Sequence, residues 1–584
     1  MFSKGLHILL LLLLIQQLYG QTEYPKGYFS SPMNKSMELS GNFGEIRPNH
    51  FHAGFDLKTN GKENIPVFAV AEGYISRIKI STGGYGKALY LTHPNGFTSV
   101  YAHLNCFDID IEYFVKRMQY KLETFELDTI LAPHLIPVQK GELIALSGNT
   151  GGSQGPHLHF EIRDSKTEMP VNPYYFGYLI NDTIKPRVTE LAIYPLENTS
   201  SVNGKQSLKR IIPVYKKGNY SFKKTDTITV HGLIGFGVEC FDLETQSTNP
   251  NGVFSIELLH NNKRVYYHEL EKFTFEYSRF VNAHIDYAEK QKHGDKIQKC
   301  FLSKNNQLGI YKDVIDDGKI LFNDDSLHTI NYILKDFAGN STEIQLNVRS
   351  VIKPVNAIKE EARIIHSCLE DKTFNFNEAK ILIPGNAMYD DYSFSYSKTS
   401  AGKGFYSNLH KIMNTETALQ KAISIAIKPT ALPESLQTKA CIVSVSDKGK
   451  KNYIGGTFDN GWIKANTKSF GNFGVCIDTI PPKLKPAFKF HKDSLIIDLN
   501  KENYIGIIAN DDLSGIKNYR ATIDGKWVLC EFETKKDLLF YTFDERYTPG
   551  IHTFHIEVWD DKDNKSEYTF SFKKDPIISP PPTR

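Results

Sequence analysis

The chain has 584 residues, with 69 Lys and Arg against 66 Asp and Glu and a net charge of +3. That length predicts roughly three to five domains. A composition of 40% hydrophobic and 23% charged residues excludes wholesale disorder, and the even charge balance gives no global handle for nucleic acid or an acidic membrane.

The first element is a signal peptide over residues 1–20. Lys4 supplies a positive start, Ile8 to Ile15 form an apolar run, and Gly20 offers a cleavage point before Gln21. The run is shorter than the ~20 apolar residues of a membrane span, and no later stretch is long and apolar enough. No Cys follows the run for lipid attachment, and no Leu-Pro-x-Thr-Gly sorting sequence occurs. The expectation is an exported chain without a transmembrane segment, in the periplasm or outside the cell, with a Gram-negative envelope as host.

Residues 21–181 read as a β-hairpin domain. Short apolar runs such as Pro66 to Val70, Tyr74 to Ile78 and Ala88 to Leu91 are cut by Gly73, Gly83-Gly84 and Asn95-Gly96. One insertion, about 105–139, differs. Ile111, Phe114, Val115, Met118, Leu122 and Phe125 recur at helical spacing, which predicts an amphipathic helix from Asp110 to Leu127. Such a helix would either wall a cleft or pack on a flank.

Three histidine motifs crowd this domain. In His52-Ala53-Gly54-Phe55-Asp56, strand positions four apart face one side, so His52 and Asp56 are expected to reach one metal ion, with Gly54 leaving room. The second motif is Tyr101-Ala102-His103-Leu104. The third is Gly155-Pro156-His157-Leu158-His159-Phe160-Glu161, where two His point into one cleft and Leu158 and Phe160 into a core. A catalytic zinc takes about three protein ligands and keeps one position open. His52, Asp56 and one His of the third motif supply such a set, leaving the other His and His103 for proton transfer and oxyanion stabilisation.

Together with Pro66 to Gly73, Gly84-Tyr85-Gly86, Lys140 to Ile144, Gly148 to Gly151 and Val171-Asn172-Pro173, these motifs resemble the lysostaphin/LytM-type zinc metallopeptidases, which cleave peptide bonds in bacterial cell walls. The resemblance covers roughly a quarter of the chain, about one domain. It implies an antiparallel β peptidase domain with one zinc ion held by His52, Asp56 and His159. It implies His103 and His157 as the catalytic histidines, without saying which is the base. Asn49, His50 and Tyr85 are assigned to substrate contact. The function implied is hydrolysis of stem-peptide cross-links in peptidoglycan by metal-activated water. The alternatives are a secreted zinc peptidase acting on non-wall proteins, and a non-catalytic envelope regulator or adhesion protein. The long insertion departs from compact family members.

The remainder is strand-rich, so the expected fold is all-β dominated and multidomain. His328 to Asp336 matches His552 to Asp560, each followed by Asn (Asn340, Asn564) and then Ser, and Asp182-Thr183-Ile184 matches Asp478-Thr479-Ile480 upstream. The repeat predicts two immunoglobulin-like β-sandwiches, 182–350 and 478–575, flanking a β-rich domain of unnamed fold over 351–477. These domains are candidates for docking an envelope protein. Residues 576–584 form a tail. Cys441 and Cys476 are either a disulfide within one domain or buried thiols.

Overall fold

The computed structural model describes residues 24–178, 180–222, 228–245, 247–352, 364–488 and 495–575; the expected signal peptide and tail lie outside them. The architecture is all-β dominated and multidomain, a succession of sheets with few short helices.

The first sheet has eleven strands. Those that position the site are β1 (Leu39–Gly41), β2 (Phe55–Lys58), β3 (Gly73–Ile80), β4 (Lys87–Thr92), β5 (Phe97–Phe107), β6 (Leu127–Ile130), β7 (Pro137–Val138), β8 (Leu143–Ser147) and β9 (His157–Asp164). The order along the sheet is β1-β2-β9-β5-β4-β3-β7. Side chains alternate across a strand, so β9 divides cleanly. Leu158, Phe160 and Ile162 enter the core with Phe55, Leu57 and Tyr101. The intervening His157, His159, Glu161 and Arg163 share the opposite face. Burying the first row fixes the register, because a one-residue slip would exchange the two rows. In that register His159 lies opposite Asp56 on one side and Ala102 on the other.

The insertion forms a shorter helix than its spacing predicts. Helix α1 spans Ile109–Leu122, with the Asp108 side chain accepting from Asp110 N at 3.4 Å. Glu123 turns left-handed at φ 49°, which ends the helix. Phe125 is still buried, held through a turn whose carbonyl accepts from Gln119 Nε2 at 2.6 Å. Leu127 opens β6, which pairs with β3. Ile111 and Val115 anchor α1 in the domain core, so the helix packs on the flank.

A second eleven-stranded sheet follows, including β10 (Arg187–Pro195), β11 (Ile228–Phe241), β12 (Leu327–Lys335) and β13 (Ser341–Ser350). Two five-stranded sheets between Lys372 and Ile477 enclose one core. A four-stranded and a five-stranded sheet end the chain, the latter with β14 (Gly550–Asp560) and β15 (Lys565–Lys574). The hairpins β12–β13 and β14–β15 close alike, Asp336 N on Asn340 O at 3.2 Å and Asp560 N on Asn564 O at 3.1 Å. In both units the last strand also pairs in parallel with an earlier strand, β13 with the start of β11 and β15 with Ile496–Asp498. All seven cysteines are free thiols; Cys441 and Cys476 face each other on neighbouring strands without a bond between them.

Candidate metal centre

His52 is not in the strand that carries Asp56. It sits in the irregular connection between the strand His50–Phe51 and β2, which bends at Gly54, so strand alternation is not what brings the two together. Gly54 serves a different need from the one its position suggests. A Cβ there would lie 2.1 Å from Phe160 O, so glycine is required for the backbones to approach.

His52 Nε2, Asp56 Oδ1 and His159 Nδ1 converge. The separations are 3.0 Å for His52 to Asp56, 3.0 Å for His52 to His159, and 2.9 Å for His159 to Asp56. All three residues are buried. The outer nitrogens settle the tautomers. His52 Nδ1 lies 2.7 Å from Asn42 O, a carbonyl that only accepts, so this nitrogen carries the proton. His159 Nε2 lies 2.8 Å from Glu161 Oε1 and donates to it. Two imidazole lone pairs and a carboxylate oxygen therefore face one point. Three acceptors with no proton between them repel unless a cation stands there. A tetrahedral zinc with bonds of about 2.0–2.2 Å would space such atoms by ~3.3 Å, within a few tenths of an ångström of what is found. The donor set fits zinc.

Charge on the flanks supports this geometry. Burial opposes the Asp56 anion, but His52, His157 and His159 hold its carboxyl well below the ordinary range. Arg47 adds an ion pair to Asp56 Oδ2 at 2.9 Å. Glu161 is fully buried; burial raises its pKa, but Arg163 and His159 overcome that and hold it at about 2. Its second oxygen accepts from Arg163 Nε at 2.7 Å.

His103 and His157 stand beside the cluster, their rings 4.8 Å apart. His103 has φ 59°, at a bulge where β5 gains a residue on β4. The bulge re-aims the side chain. Its Nδ1 donates to Thr150 O at 2.8 Å, which leaves the Nε2 lone pair free for an incoming group. Burial, then the charges of His159 and His157, push its pKa down to about 3. His157 Nδ1 lies 2.8 Å from Gly155 O and 3.2 Å from Ser153 Oγ, and its Nε2 is 3.3 Å from Asp56 Oδ1.

The three residues assigned to substrate contact lie around the cluster in different settings. Asn49 is exposed and accepts from Asn282 Nδ2 at 3.0 Å. His50 is exposed, with its Nδ1 on Pro48 O at 2.8 Å. Tyr85 lies behind the cluster: its hydroxyl donates to Glu161 Oε1, its ring is 5.3 Å from that of His159, and its carbonyl accepts from His103 N at 2.9 Å. The sequence reading gave no role to Glu161 or Arg163. Both follow His157 and His159 at intervals of two, the spacing that places them on the same face.

The C-terminal unit reaches this site. Lys535 Nζ donates to the carbonyls of Asn149 and Ser153. Lys87 pairs with Glu531 at 3.0 Å, and Arg520 with Glu123 at 2.6 Å. Tyr120 of α1 donates to Asp544 at 3.0 Å and meets the Trp527 ring edge-on at 5.1 Å. A cavity of about 480 Å³ lies between the two units, lined by Asn105, Asn149, Thr150 and Lys535 among others.

Residues 50–120 and 126–173 match peptidase family M23. The chain belongs to peptidase family M23. Residues 365–478 match a Zu5-like domain. An uncharacterized metalloprotease of Haemophilus influenzae is 33% identical over 145 residues, 23% of this chain and 25% of the relative. The DD-carboxypeptidase/endopeptidase Mpg of Neisseria meningitidis is 32% identical over 155 residues, 26% of each chain. Lipoprotein NlpD of Yersinia enterocolitica is 30% identical over 103 residues, 18% of this chain and 81% of the relative. The chain spans about a quarter of the length of the first two relatives.

Proposed function

We propose that this chain is an exported zinc metalloendopeptidase that hydrolyses peptide cross-links of peptidoglycan in a Gram-negative periplasm or outside the cell. The observation that carries the reading is the meeting of three lone pairs, from His52, Asp56 and His159, within 3.0 Å of one another. A zinc ion held there supplies Lewis-acid polarisation of a carbonyl and brings the pKa of water toward about 7. The protein's own groups do the rest. His103 and His157 divide proton transfer and oxyanion stabilisation between them, each fixed by an Nδ1 hydrogen bond to a backbone carbonyl. Glu161 and Asn42 fix the ligand rings by accepting hydrogen bonds from their outer N–H groups. The presence of all five residues speaks against a silent regulator.

The peptidoglycan substrate is supported by the name of the Neisseria relative, DD-carboxypeptidase/endopeptidase. The test of substrate class is parallel digestion of purified peptidoglycan and of an unfolded protein by the mature chain. New peptide ends in the peptidoglycan alone support the reading. Efficient protein cleavage with intact peptidoglycan would assign the chain to secreted proteolysis.

A further inference from the structure

The last hairpin of each repeated unit ends in an aspartate that faces two others. Asp182, Asp242 and Asp336 bring one oxygen each within 4.8 Å of one another, and so do Asp478, Asp511 and Asp560. The two triads are built alike. Asn340 Nδ2 bridges Asp336 Oδ2 at 2.7 Å and Asp182 O at 3.2 Å; Asn564 Nδ2 bridges Asp560 Oδ2 at 2.7 Å and Asp478 O at 3.1 Å. The third aspartate of each comes from a strand end or a turn: Asp242 follows β11, and Asp511 holds the Leu513 and Gly515 amides through its Oδ2.

A second observation points to a ligand. Asp242 is only 4% exposed, yet its Oδ1 has no hydrogen-bond partner. Asp511 Oδ1 is buried without a partner at the matching place, as is Ser514 Oγ beside it. Among the described residues no lysine, arginine or histidine forms an ion pair with any of the six aspartates. Lys562, on the same turn as Asp560, gives its ammonium to Gly456 O instead. Three like charges in a buried place repel strongly. Burial, then Asp336 and Asp182, push the Asp242 carboxyl up to about 8. The cavity lined by Asp182, Asp242 and Asp336 is about 20 Å³, room for one water-sized occupant.

We propose that each triad binds one calcium ion. The donors are oxygen only, which selects a hard cation over zinc, and calcium accepts the irregular ligand sets that magnesium resists. Each site ties the chain's entry to a unit, Asp182 or Asp478, to that unit's last hairpin. The first cavity also takes Asn42, Asn172 and Tyr174 from the peptidase domain, so calcium there fastens the junction between units. Asn42 O in turn holds His52. The inference does not rest on the peptidase reading.

The test uses the zinc-saturated mature chain with calcium alone as titrant, at about 1 mM, the range of extracellular modules. Calorimetry should give two equivalents per chain, with a calcium-dependent rise in unfolding temperature. Asp242→Asn and Asp511→Asn should each remove one equivalent and part of the rise. Without calcium, Asp242→Asn should unfold no lower than wild type, because the Oδ1 it alters makes no hydrogen bond in the fold. A triad whose substitution leaves uptake and the thermal shift unchanged is not a calcium site, and a wild type that takes up no calcium overturns both.

Discussion

Lys535 lies 382 residues beyond Ser153 and donates its ammonium to that residue's carbonyl at 3.2 Å. It also caps Asn149 O. The segment between them carries the supports of both candidate catalytic rings, Thr150 O for His103 and Ser153 Oγ for His157. The C-terminal unit therefore braces the loop that aims the two histidines.

Replacing that brace should lower turnover without emptying the metal site. Lys535→Met should cost roughly tenfold in kcat/KM, since small misplacements of catalytic groups are expensive. Zinc content should stay at the wild-type level. Steady-state kinetics with metal analysis on the same samples checks both, and unchanged kinetics would remove the C-terminal unit from the catalytic account.

Glu161→Gln should weaken zinc binding by about 10- to 100-fold, the usual cost of losing a carboxylate behind a ligating histidine. The amide keeps the shape but no longer draws the His159 proton. Competition with a chromophoric chelator measures the effect.

Acid should destabilise the chain through a buried pair in the second unit. His268 and His284 meet edge-on at 4.9 Å. Burial lowers His284 to about 4 and His268 well below its ordinary value. Both are held neutral in the fold, whereas the unfolded chain protonates them near 6.5. Their contribution is full above about 6.5 and is lost as pH falls toward about 4. His284→Gln should flatten the slope of unfolding temperature against pH in that window. An unchanged slope would shift the acid sensitivity to other groups.

Tyr120→Ala should loosen the C-terminal unit from the peptidase domain. It removes the bond to Asp544, the Trp527 contact and the ring under Arg546, whose guanidinium lies 3.9 Å from its centre. Limited proteolysis should then cut faster between the last unit and the rest, while the fold of each survives. Equal cutting rates would show that the other contacts suffice.

The all-β architecture and the family were legible because their signals are local. His157 and His159 alternate with Leu158 and Phe160, and that alternation states both faces of β9 before any fold is known. The helix was legible in kind but not in length. Its apolar spacing runs on to Phe125, while a single left-handed residue, Glu123, ends it. The role of Gly54 was misread because its neighbour, Phe160, is distant in sequence. Lys535 carried no local signal at all, since its partners lie nearly four hundred residues away. The aspartates of the two hairpins showed as a repeat, but their convergence with Asp242 and Asp511 appears only in three dimensions.

The most direct measurement is mass-spectrometric analysis of peptidoglycan digested by the zinc-loaded mature chain, beside chelator-treated protein and His159→Ala. The account predicts one zinc per chain at the His52, Asp56 and His159 cluster, with new peptide ends that vanish in both controls. Cleavage that survives chelation and substitution, or a wild type that binds no zinc, would contradict it.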